Sequence, residues 1–248
     1  MKITFLGTSA GMPDADRHCS STMIEIGDHI YLVDGGAPLV DCFRQRNVVP
    51  QNLKAFFNTH GHSDHLIGFL HLLDVCTWFY RDTRFDFYVT EQEIADTFIH
   101  CVSLMEAPLP FPHDRLRAHV ATEGTVYDDG VLKVTYIPTR HCEPHPSYAI
   151  LLEAEGKKVL FSGDLSARLA KNDLPLLLSE ETVDLFVCEM AHFTPAQLEP
   201  YLDTCLAKLV CFQHFCPPEK KEQTLALAKE KQYAFPVHFL RDGEVILL

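Results

Sequence analysis

Apolar residues recur along this chain in short blocks, and most blocks are too brief for anything but a strand. Lys2–Leu6, Thr22–Ile26 and His29–Val33 predict three strands, the last two joined by a turn at Gly27-Asp28. Leu39–Arg46 fits a helix closed before Pro50, Leu53–Asn58 a buried strand, and Asp64–Phe79 carries apolar residues at helical spacing. Phe85–Val89 predicts a strand, and Thr90 with Glu93 a capping box opening a helix to about Met105. Pro108, Pro110 and Pro112 mark an irregular crossing that lines the surface or a site. Val131–Ile137 follows as a strand, then a hairpin of Tyr148–Glu153 and Lys158–Phe161 turning at Glu155-Gly156. Leu185–Cys188 and Leu209–Phe212 read as buried strands separated by a helix Pro195–Leu206; a helix Pro218–Gln232 and an edge strand Val245–Leu248 close the chain. Alternating strands and helices, with no repeat or linker, predict one layered α/β domain over residues 1–248.

Composition narrows the class. A chain 47% hydrophobic and 22% charged can bury a core and is neither disordered nor fibrous. Acids outnumber bases 34 to 21, for a net charge of −13, which argues against an extended nucleic-acid surface. Lys220, Lys221, Lys229 and Lys231 are interleaved with Glu222 and Glu230, as on a solvated helix face. Nine scattered cysteines without a C-x-x-C pair suggest a reducing, cytoplasmic setting. The opening MKITFLGTSAG turns polar at Thr8, too soon for a signal peptide, and no apolar run is long enough to span a membrane.

The fourteen histidines invite a metal, and their placement gives that idea content. His60-Gly61-His62-Ser63-Asp64-His65 sits where a predicted strand ends and a helix begins, so a rigid scaffold presents the side chains outward. Imidazoles and carboxylate at this density suit zinc, with manganese or iron as alternatives. Three more candidates each follow an apolar block: His141 after VTYIPT, Asp164 after VLFSG, His214 after LVCFQ. Recurrence at strand ends is how active sites are built on α/β scaffolds.

Through these residues the chain resembles the metallo-β-lactamase superfamily and, within it, the ribonuclease Z-like branch. The likeness extends over ITFLGTSAGMP, SSTMIEI, YLVDGGA, FFNTHGHSDHLIGFLHLL, PSYAILLE, VLFSGD, LVCFQHF and RDGEVILL. It implies a four-layer αββα sandwich with the site along one edge. It also implies two divalent ions: His60, His62 and His141 on one, Asp64, His65 and His214 on the other, Asp164 bridging both. Asp34, in YLVDGG, matches a position that orients ligands from behind; the alternative is a turn residue before Gly35-Gly36. A homodimer is a further family-level expectation.

The implied chemistry is hydrolysis by a metal-bridging hydroxide, which needs no Ser or Cys nucleophile. The branch supplies a leaving-group proton from a His-Glu pair. Here that segment reads Cys188-Glu189-Met190-Ala191-His192, so Cys188 stands where the His is expected. His192, sharing strand parity with Cys188, and His238, in FPVHF, are the candidate acids, with Glu189 as partner and Asp64 counted with the catalytic residues. His18, His113 and His145 lie in loops with no partner pattern. Relatives that run redox chemistry on two irons place Glu where this chain has His62, which favours hydrolysis. The transfer-RNA-processing members carry a long arm between the third His and the bridging Asp, whereas His141 and Asp164 are only 23 residues apart here. The expected activity is therefore a phosphodiesterase on a small or single-stranded substrate. Transfer-RNA 3′ processing, a thioesterase or lactonase, and a non-catalytic metal-binding domain stay open as alternatives.

Overall fold

The computed structural model describes residues 1–105, 110–171 and 174–248. It forms two compact units, Met1–Ala121 with Asp242–Leu247 and Thr122–Arg241 with Leu248. Pro108 of the predicted crossing loop lies outside the described residues; Pro110 and Pro112 lead irregularly into a strand.

The first unit contains strands β1 (Lys2–Gly7), β2 (Ser21–Ile26), β3 (His29–Gly35), β4 (Leu53–Phe57), β5 (Phe85–Val89) and β6 (Leu116–Val120). Its helices are α1 (Leu39–Gln45), α2 (Ile67–Trp78) and α3 (Gln92–Met105). With the closing strand Val245–Leu247 they make a seven-stranded sheet in the order closing strand–β1–β2–β3–β4–β5–β6. Pairing is antiparallel from the closing strand to β3 and parallel from β3 to β6. Each parallel step needs a crossover, and α1, α2 and α3 supply them in turn. The helices bury Leu39, Phe43, Phe69, Leu72, Leu73, Phe98 and Val102 against Leu32, Phe56, Phe85 and Phe87 of the strands. Phe69 stacks on Phe56 with centroids 3.7 Å apart, so truncating either would cost about 3–5 kcal/mol.

Two helix starts differ from expectation. The Asp64–Phe79 helix is divided: Ser63–His65 is a separate 3-10 turn, and Leu66 (φ −132°) breaks the path before α2. The capping box at Thr90 does not form. The Thr90 hydroxyl is buried without a hydrogen-bond partner among the described residues, and Glu91 O receives the first helical N–H groups.

The second unit contains β7 (Gly124–Asp128), β8 (Lys133–Thr139), β9 (Ser147–Ala154), β10 (Lys157–Phe161), β11 (Leu185–Met190), β12 (Val210–Phe215) and β13 (Val237–Phe239). Its helices are α4 (Leu177–Glu180), α5 (Pro195–Leu202) and α6 (Lys220–Lys231). The seven strands pair in sequence order, antiparallel from β7 to β10 and parallel from β10 to β13. Glu155 (φ 52°) and Gly156 (φ 71°) turn the β9–β10 hairpin, both left-handed as a two-residue type I′ loop requires. β11 is buried throughout, as expected of a parallel strand covered on both faces. A capping box between Thr194 and Gln197 opens α5, which ends at Leu202, short of the predicted Leu206. Strands β6, β7 and β13 and the single-turn α4 lie outside the elements the apolar pattern predicts; each is short or carries polar residues on both faces.

Candidate metal centre

In the first unit the HGHSDH segment leaves the C-terminal end of β4. Behind it stands Asp34, buried at the end of β3 in a left-handed conformation (φ 57°) unusual for a residue with a side chain. Its carboxylate is fully used. Oδ1 accepts from Asn58 Nδ2 (3.1 Å) and from the Thr59 amide (2.8 Å), and Oδ2 accepts from the Thr59 hydroxyl (2.9 Å) and His65 Nδ1 (2.7 Å). The Thr59 hydroxyl, donating to Asp34, accepts from His60 Nδ1 at 3.0 Å. One carboxylate thus holds the N–H on Nδ1 of both His60 and His65 and leaves each Nε2 as a lone pair.

Those Nε2 atoms face other ligands. His60 Nε2 is 3.1 Å from His62 Nδ1, and His65 Nε2 is 3.6 Å from Asp64 Oδ2. Ligand nitrogens 2.0–2.1 Å from a tetrahedral zinc stand about 3.4 Å apart, so the first spacing suits a shared ion. Gly36 admits the turn: a Cβ there would lie 1.7 Å from the Asp64 carbonyl oxygen.

In the second unit the candidates arrive from three separate strand ends and converge on one oxygen. His141 Nε2 is 3.7 Å, and His214 Nε2 3.3 Å, from Asp164 Oδ2. His141 Nδ1 donates to the Leu165 carbonyl (3.0 Å), again leaving Nε2 as the lone pair. Its amide donates to Ser147 Oγ (3.1 Å), which also receives the Thr139 hydroxyl (2.9 Å). His214 is turned by a bulge. Glu189 pairs with Gln213 and Met190 with Phe215, so His214 (φ 58°) is the extra residue, re-aimed out of the pleat.

His192 reaches the same place by another route. β11 ends at Met190, so its position comes from the following loop and not from strand parity. Its Nδ1 donates to Glu189 Oε1 (2.8 Å) and lies 3.8 Å from Asp164 Oδ2. Glu189 is buried and also accepts from the Leu165, Ala191 and His192 amides (3.0, 2.5 and 3.2 Å). On the far side of the loop, Lys220 Nζ donates to the Ala191 carbonyl. Burial pulls the His192 pKa down, but the hydrogen bond and charge of Glu189, with Asp164, outweigh it and leave the pKa raised. Donor atoms of His141, Asp164 and His192 all lie within 4.8 Å of one another.

The other acid candidates sit differently. Cys188 is buried in the core beside Phe186 and Met190, and burial followed by the Glu189 charge pushes its thiol well up. His238 is exposed on the edge strand β13, level with Cys211, about 10 Å along the strand direction from His214. His18 is half-exposed and its amide donates to Asp242 (2.6 Å).

Buried imidazoles and carboxylates with tautomers set from behind fit a divalent ion in donor chemistry. A family model described as anti-Pycsar protein Apyc1 matches residues 1–203. The chain belongs to the anti-Pycsar protein Apyc1 family.

This anti-Pycsar family member is ribonuclease Z-like in sequence. It is 29% identical to ribonuclease BN of Cronobacter sakazakii over 160 residues, 63% of this chain and 51% of that protein. The chain thus spans about half the length of the curated relatives it matches. Among solved structures it is similar to the metallo-β-lactamase fold protein YhfI from Bacillus subtilis (TM-score 0.76, 18% identity, 99% of each chain). It is likewise similar to the short form of human tRNase Z (TM-score 0.75, 21% identity, 100% of this chain and 99% of that one). The fold is therefore the metallo-β-lactamase α/β sandwich. The clustered His and Asp side chains suit a divalent-metal site. Among the described residues no helix is long and apolar enough to cross a membrane.

Thr59, Ser147, the Leu165 carbonyl and Lys220 are contributors that sequence reasoning missed in this anti-Pycsar family member. Thr59 alone left a signal, a hydroxyl directly before the first His of the motif. The others act through hydrogen bonds 6, 24 and 29 residues apart in sequence that no motif spacing encodes.

Proposed function

We propose that residues 1–248 act as one hydrolase domain that cleaves a compact phosphodiester with two divalent ions. Following the family pattern, His60, His62 and His141 serve one ion, Asp64, His65 and His214 the other, and Asp164 both. One observation carries the reading. Nδ1 of His60, His65 and His141 is taken by a hydroxyl, a carboxylate and a carbonyl, and each Nε2 is aimed at another candidate ligand. When bound, such ions activate water and neutralise charge on the attacked phosphoryl oxygen.

The protein's own part is orientation and proton delivery. Glu189 fixes the His192 ring at Nδ1, leaving Nε2 to deliver a proton to the departing oxygen. Cys188 is too buried for that task, and His238 stands away from Asp164 along its strand. A small substrate is favoured because the span from His141 to Asp164 is filled by short turns and the β9–β10 hairpin, leaving no room for an RNA-gripping arm. The net charge of −13 points the same way. Zinc is the expected metal, a cytoplasmic location fits the free cysteines, and a homodimer follows the family expectation.

The deciding experiment is metal analysis of protein purified without chelator, with hydrolysis of aryl phosphodiester, thioester and lactone panels. Two ions per chain and a preference for phosphodiesters support the reading, provided His62→Ala and Asp164→Ala abolish turnover. Fewer than one ion per chain, or unaltered turnover in those variants, overturns it. Cleavage of precursor transfer RNA at its 3′ end would promote the ribonuclease alternative.

A further inference from the structure

The segment that follows Asp164 braces three candidate site residues at once. The Leu165 carbonyl holds His141, the Leu165 amide donates to Glu189, and the Arg168 amide donates to the His192 carbonyl at 2.8 Å. Lys171 at its far end pairs with Glu143 of the His141 loop. Arg168 (φ 62°, ψ 17°) and Leu169 (φ 50°) both adopt the left-handed conformation inside this brace. Leu169 earns its place by packing in the core with Leu165 and Phe193. Arg168 does not. Its side chain is exposed and, among the described residues, nothing pairs with it. Gly or Asn would take that backbone conformation far more readily.

We propose that Arg168 is a substrate-recognition residue whose guanidinium binds a second oxyanion, a carboxylate or phosphate, carried by the leaving group of the phosphodiester. This rests on the phosphodiesterase reading above. The hydrogen bond to the His192 carbonyl puts the Arg168 backbone beside the residue that faces the departing oxygen, so a long side chain there has the leaving-group side within reach. The planar fork of five N–H donors matches an oxyanion two bonds at a time. On a chain of net charge −13, a cation that no described residue pairs with also gives anionic substrates a local destination. Strain kept at an exposed arginine is then the signature of a side chain held for function.

The test compares two chromogenic esters, ethyl 4-nitrophenyl phosphate and ethyl 3-carboxy-4-nitrophenyl phosphate, with manganese or zinc supplied. The quantity read is the ratio of kcat/KM between them. Wild type should favour the carboxylated ester by roughly tenfold or more, the worth of a charge-assisted hydrogen bond. Arg168→Asn and Arg168→Gly should erase that preference while Tm stays level or rises, because both relax the left-handed backbone. Arg168→Lys should retain part of it. A preference that survives in Arg168→Asn, or is absent from wild type, overturns the proposal. So does a fall in Tm with equal loss on both esters, which would mark Arg168 as structural. Failure to hydrolyse either ester defeats the phosphodiesterase reading itself, and this proposal with it.

Discussion

The two units assemble their candidate ligands in opposite styles. The first concentrates four of them in six consecutive residues, on one loop after β4, and steadies two imidazoles from a single buried carboxylate, Asp34. The second collects His141, Asp164 and His214 from separate strand ends around one oxygen of Asp164, with His192 reaching the same oxygen from a loop. It steadies them with backbone, through the Leu165 carbonyl and a bulge at His214, and with Glu189. A dense loop can be set by one side chain, whereas dispersed ligands need their whole sheet in register. The first style should fail piecemeal when its anchor is removed, and the second should fail at its focus.

The sharpest way to break the comparison is at that focus. Asp164→Ala removes the oxygen around which three imidazoles gather, and phosphodiester turnover should fall by at least on the order of 10³-fold, with metal content reduced. Turnover within tenfold of wild type would show that the second unit is not organised around this carboxylate. His192→Ala should cost roughly 10²–10⁴-fold in kcat while metal content stays intact. Loss of metal in that variant would instead make His192 a ligand, the role its closeness to His141 and Asp164 also permits.

Asp34→Asn probes the first style. Donors approach both carboxylate oxygens, Asn58 and the Thr59 amide at Oδ1, the Thr59 hydroxyl and His65 Nδ1 at Oδ2. An amide keeps one acceptor oxygen and turns an NH2 toward donors on the other side, so metal affinity should drop about 10–100-fold, measured by competition with a chelator. In the second unit the comparable change is Ser147→Ala, which removes the acceptor of the His141 amide. Because Leu165 still holds the ring, the effect should be smaller, about 1 kcal/mol of stability with little change in metal affinity. Equal effects from the two variants would erase the distinction.

The same contrast decides what could be read from sequence. The HGHSDH cluster is legible alone, because density at a strand end has no common structural explanation. His141, Asp164 and His214 became legible only through their recurrence after apolar blocks and the family resemblance. Most strands were visible as apolar blocks, while β6, with Arg117 and His119, hides because polar side chains interrupt it at the sheet edge. The Thr90 capping box is a case where a local motif lost to tertiary packing, its hydroxyl being buried at the end of β5. Strand parity named His192 for a reason the structure does not share, since the residue arrives on a loop that Glu189 ties down.

The smallest expected effect lies away from both ligand sets, at one carboxylate in each unit. Burial would raise Asp86, but hydrogen bonds from Arg117 and His119 outweigh it and hold its pKa below the ordinary carboxylate range. Burial would raise Asp184 as well, but the Lys158 amide and the Lys208 and Lys157 ammonium groups hold it below. A depressed folded-state pKa stabilises the fold above the unfolded value of about 3.9, and that contribution is lost as pH falls through the folded value. Asp86→Asn and Asp184→Asn should therefore be destabilised at pH 6, approach wild type toward pH 3, and show a flatter acid limb in denaturant midpoints. Each effect should stay under about 1 kcal/mol, because Arg117 and Lys208 are 59% and 63% exposed and solvent screens the pairs. Both carboxylates are braced by exposed cations and neither belongs to a ligand set, so the two units should respond alike here. A loss several times larger in one of them would show that the contrast between the units reaches beyond their ligands into how each sheet is held.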